Sequence, residues 1–90
     1  MCRNIHTLHN LDPATTPEEI RDAALQYVRK VSGTRTPSRA NEGAFERAVA
    51  AVAAATGELL DSLVTAAPPR SREAEAARRR ARSAARFARA

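Results

Sequence analysis

Three residues near the start of the chain could carry chemistry: Cys2, His6 and His9. Their spacing of four and three would place a thiolate and two imidazoles on one face of a helix. Zinc accepts such ligands, and three protein ligands with an open fourth position is a catalytic arrangement. Asp12 is the nearest candidate for a fourth ligand. Cys2 has a chemistry of its own if Met1 is removed, because one residue then bears an α-amine and a thiol. The positive amine and Arg3 would favour the thiolate, suiting a nucleophile, a redox sensor, a metal ligand or an acylation site. The plainer reading is an ordinary terminal residue beside two surface histidines.

A second chemistry sits at the other end. Arg70, Arg72, Arg78, Arg79, Arg80, Arg82, Arg86 and Arg89 could neutralise phosphates. Binding of that kind ignores base sequence and weakens steeply with salt. Phe87 is the only aromatic in this stretch, so base stacking is poorly served. The plainer reading is a solvated helix whose charge keeps the protein in solution. Arg29, Lys30, Arg35 and Arg39, around Gly33, form a smaller basic cluster without a glycine-rich phosphate loop. Ser/His/Asp catalysis has no support, since each serine is accounted for as cap, loop or surface residue.

The elements that must position these residues are helical. Thr16, Pro17 and Glu19 form a capping box with proline at the first helical position. Ile20, Ala23, Ala24, Tyr27, Val28 and Val31 then share one face, and Gly33 suits the left-handed position past the helix end. The spacing predicts a helix over 17–32. Phe45, Val49, Val52, Thr56, Leu59 and Leu63 recur at four and three, predicting a second helix over 41–64, capped by Ser38 or Asn41 and stopped by Pro68-Pro69. Ser71 caps a third helix, whose Ala74, Ala77, Ala81, Ala84 and Ala88 line one side. With so little to bury, this helix is not expected to dock firmly. Ile5, Leu8 and Leu11 form a lead-in, either a helical turn or an extended strap over the core. The eight or so residues between the first two helices exceed the three or four of a helix-turn-helix. The face of helix two away from its seam also offers little to a major groove.

These readings assemble into an all-α fold: a helical hairpin with a short N-terminal segment, over 1–67, and a basic C-terminal helix or tail, over 68–90. Ninety residues hold one domain at most. Leu, Ile, Val and Phe total only 15, and alanine supplies 21 residues, so a thin core is expected. The second helix outruns the first, and either the lead-in or a second copy must cover Leu59, Leu60 and Leu63. Charge divides sharply. Residues 1–69 hold seven Lys/Arg against eight Asp/Glu, while 70–90 hold eight Arg against two Glu. Any acidic partner is therefore expected at the tail. No segment approaches a membrane span or a signal-peptide core, so a cytoplasmic protein is expected, and one cysteine forms no internal disulfide.

Met1-Cys2-Arg3-Asn4-Ile5, the run from Ala23 to Gly33, Asn41-Glu42-Gly43-Ala44-Phe45 and Leu59-Leu60-Asp61-Ser62-Leu63 together resemble the small bacterial family known as domain of unknown function 2277. The resemblance implies a bacterial, cytoplasmic, helical protein and no particular activity. It also implies a basic residue at the position of His6 and no histidine at that of His9, which weighs against a metal site. Two functions follow from the residues. One is a small interaction protein that self-associates through helix two and engages an acidic partner, such as nucleic acid, with its arginine tail. The other is a thiol- or metal-dependent function centred on Cys2.

Overall fold

A computed structural model describes residues 5–89, with side chains through Phe87. Its order is β1 (Leu11–Asp12), α1 (Pro17–Ser32), a single 3-10 turn (Arg39–Asn41), α2 (Glu42–Ser62), β2 (Arg70–Ser71) and α3 (Arg72–Arg89). The chain is mostly helical, but β1 and β2 correct the all-α expectation. They pair in parallel, with Leu11 opposite Arg70 and Asp12 opposite Ser71.

Helix α1 begins and ends as its sequence dictates. Thr16 Oγ1 accepts from Glu19 N–H at 3.2 Å, and the Glu19 carboxylate accepts from Thr16 N–H at 2.9 Å. Glu18 and Glu19 occupy the positive end of the helix dipole, and Arg29 and Lys30 the negative end. Gly33 follows at φ 69°, a left-handed conformation that costs a side chain about 1–2 kcal/mol. Asn41 precedes α2, but its side chain does not cap the helix. Its Nδ2 instead donates to Ser38 Oγ at 2.9 Å.

Helix α2 ends at Ser62, short of the expected 64 and well before Pro68. Its last turn holds Asp61 and no cation, so the helix dipole gives no support to further turns. Thr65 and the segment before Pro68 lie outside any helix. Helix α3 starts at Arg72, just after Ser71, whose Oγ accepts from Ala74 N–H at 3.0 Å.

The structure divides into two compact units. One comprises the chain up to His9 together with Thr15–Thr65, and the other Asn10–Ala14 together with Ala66 onward. In the first unit α1 and α2 form a helical hairpin. Its core is Ala24, Val28, Phe45 and Val49, with Leu25, Ala48, Val52 and Ala53 packed around it. The core is as thin as the composition implies. At Gly57 a Cβ would stand 4.0 Å from Ile20, and Pro17 at the start of α1 borders one hollow with Asp61 and Ser62 of α2. Helix α1 has 16 residues against 21 in α2. At 1.5 Å per residue that leaves about 7 Å of α2 unmatched. Leu59 and Leu63 are accordingly exposed. The apolar face assigned to α1 is likewise narrower than its pattern suggests. Val31 is exposed, and Tyr27 lies at the rim instead of in the core.

The lead-in adopts the extended form. Residues 5–8 have no helical turn, and Thr15 Oγ1 donates to the Leu8 carbonyl, fixing the strap beside the hairpin. Ile5, Leu8, Tyr27, Thr56 and Leu60 border a hollow of about 400 Å³ there. The strap thus reaches Leu60, one of the leucines that needed cover.

The second unit is held by polar groups. Asn10, at φ 58°, donates from Nδ2 to the carbonyls of Ala67 and Pro68 at 3.3 and 3.2 Å. Its own carbonyl accepts from Arg70 N–H at 2.9 Å. Asparagine is among the few residues that enter the left-handed region readily.

Candidate functional site

His6 and His9 do not share a helical face. Cys2, with Arg3, lies outside the described residues. His6 sits in the extended strap and borders the hollow with Tyr27, while His9 lies in the turn before β1. In an extended strap a spacing of three, that of His6 and His9, no longer brings side chains to one side. No group of three His, Cys, Asp or Glu residues placed to hold a metal occurs among the described residues. No helix among them is long and apolar enough to cross a membrane.

The arginines separate into two groups along α3. The first group is tied into its own unit. Arg72 donates through Nε to the Pro13 carbonyl at 2.8 Å and through a terminal nitrogen to the Ala14 carbonyl at 3.0 Å. Arg70 and Arg78 both meet Glu75 Oε1 at 3.3 Å. Glu75 is only 7% exposed, the one charged residue buried among those described. Its carboxylate needs compensating cations there, because an unpaired buried charge is costly. Two arginines supply that compensation. Helix α3 is therefore fixed at its base by ion pairs and carbonyls, where the sequence led one to expect weak docking of alanines.

The second group is Arg79, Arg80, Arg82 and Arg86. Arg79 is half-buried and the other three are exposed. None has an acidic partner among the described residues, and no Asp or Glu follows Glu75 in the sequence. The helical period places Arg72, Glu75, Arg79, Arg82 and Arg86 on one line, at intervals of three and four. The line is covered at Glu75 and open from Arg82 onward. Ala74, Ala77, Ala81 and Ala84 lie on the opposite side and are exposed.

Glu75 is the residue that sequence reasoning undervalued. It stands in a first turn where an acid is already explained by the dipole. The available signal was its place as the single acid on the arginine line, three residues before Arg78.

The smaller basic cluster has turned partly inward. Arg29 Nε donates to the Arg35 carbonyl at 3.1 Å, closing the end of α1 onto its loop. Ser32, Thr34, Thr36 and Ser38 rim a hollow of about 560 Å³ floored by Val28 and Phe45. None of the basic side chains borders it.

A family model described as an uncharacterized conserved protein, DUF2277, matches residues 1–78. No curated relative and no solved structure matches the chain. The family match contains the anchored arginines Arg70, Arg72 and Arg78. It ends immediately before Arg79, where the unpaired ones begin.

Proposed function

The chain belongs to the DUF2277 family, and on that premise we propose that it is a small helical interaction protein whose α3 engages an acidic partner, with nucleic acid the leading case. The observation that carries this reading is the run Arg79, Arg80, Arg82 and Arg86, without an acidic partner among the described residues, on a helix fixed at its base. Four cations on a preformed helix lose little conformational freedom on meeting an array of phosphates. These four arginines lie past the residues that the family model matches.

The test is binding of labelled nucleic acid by the full chain and by the variant R79Q/R82Q/R86Q. Each phosphate contact contributes about 0.9 to the slope of log affinity against log salt on duplex DNA. Loss of three contacts should lower that slope by about two to three. A full chain that ignores nucleic acid at low salt would sink the proposal.

Self-association belongs to the same reading. Leu59, near the end of α2, and Leu63, just past it, are exposed and are where a second copy would seat. Sedimentation that finds a monomer at high concentration removes this part and leaves the rest. No observation on the described residues favours the alternative centred on Cys2.

A further inference from the structure

The residues on α3 also distinguish between kinds of polyanion. Resting on the proposal above, we infer that the partner is a nucleic-acid duplex held by its phosphates along the Arg79–Arg82–Arg86 edge, without readout of base sequence.

Three partners compete for a cationic helix, and each demands something different of its other faces. An anionic membrane needs a broad face of large apolar side chains to enter the headgroup boundary. On α3 the face opposite the arginines is Ala74, Ala77, Ala81 and Ala84, which bury little area. Phe87 is the single large apolar residue of the helix. A single strand is held by aromatic platforms beside the cations, and Phe87 alone cannot make a row of them. A duplex needs neither. It needs cations at regular intervals on a firm support, and its higher charge density releases more counterions per contact than a single strand does.

Helix α3 meets that demand. By helical geometry Arg79, Arg82 and Arg86 fall within an arc of about 60° and span a rise of about 10.5 Å. That rise is close to the roughly 12 Å width of a B-form major groove. Long arginine side chains from its two ends can therefore reach phosphates on both lips. Asn, Gln and acidic side chains that read base edges are absent after Glu75, and arginine, which can read guanine, is the residue already placed on the phosphates.

The experiment uses the full chain and four labelled probes: two duplexes of unrelated sequence, a single strand of the same length, and vesicles rich in anionic lipid. Titrations run between about 50 and 200 mM salt. The expected result is equal affinity for the two duplexes, at least about tenfold tighter than for the single strand, with little binding to vesicles. R79Q/R82Q/R86Q should lose that preference, and R79K/R82K/R86K should keep most of it, since charge is what the phosphates require. Circular dichroism verifies that both variants retain the helix. A single strand or a vesicle bound as tightly as the duplexes overturns the inference but leaves an acidic partner standing. Strong preference for one duplex sequence overturns the absence of base readout. Failure to bind any probe removes the inference and the proposed function together.

Discussion

Thr16 and Gly33 bracket α1 with local chemistry, and local chemistry is what a sequence displays most openly. A capping box needs only residues three apart, and a left-handed terminus needs only a residue without a side chain. Both are in place. Thr16→Ala should cost about 1 kcal/mol of stability, and Gly33→Ala about 1–2 kcal/mol because of its φ, both measurable by urea denaturation. The ion pair of Arg21 with Glu46, 3.0 Å long, is more than half exposed on both sides. Surface pairs contribute about 0–1 kcal/mol, so Arg21→Ala should scarcely move the same curve. Glu75 behaves differently. Its partner Arg70 belongs to another element, and the first-turn position already explained an acid there. Glu75→Gln removes the charge that Arg70 and Arg78 answer. It should weaken the base of α3 by about 1–3 kcal/mol, read as faster hydrogen exchange at the Arg70 amide, which donates to Asn10.

At the scale of the element, periodicity described α1 almost to the residue and α2 only in part. The seam from Phe45 to Leu63 repeats every three and four residues, yet only Phe45 and Val49 are buried. A pattern shows which face of a helix is apolar; it does not show how far a partner extends along it. Here the partner α1 has 16 residues against 21 in α2, with Ile20 opposite Gly57. The gap at Gly57 suggests a gain. A Cβ there would make ordinary contact with Ile20, and glycine inside a helix costs about 1 kcal/mol relative to alanine. Gly57→Ala should raise the melting temperature. A lowered one would mean that α1 and α2 approach each other more closely than 4.0 Å allows. In α3 the periodicity of alanine was legible and misleading, since the covered line runs through Glu75 and not through the alanines.

At the scale of the whole molecule, the thin core was legible from composition, whereas the β1–β2 pairing was not. Two residues on each side leave no alternating pattern, and the pairing depends on groups brought together from distant parts of the chain. Phe45 is the largest buried side chain in a four-residue core. Truncation of a buried phenylalanine costs about 3–5 kcal/mol, against a typical domain stability of about 5–15 kcal/mol. Phe45→Ala should therefore remove a large share of the stability, seen as a urea midpoint lowered well below that of the unsubstituted chain.

The bonds from Asn10 and Arg72 join partners 57 to 59 residues apart. With the intervening chain unfolded, closing such a loop costs about 3–4 kcal/mol in chain entropy alone. Once residues 15–65 have collapsed into a hairpin, most of that entropy has already been lost. The hairpin is in effect an insertion within the second unit, and its contacts are the more local ones, which form sooner. The polar bonds of the second unit, distant in sequence, are thus much less costly to close once the residues between them have formed the hairpin.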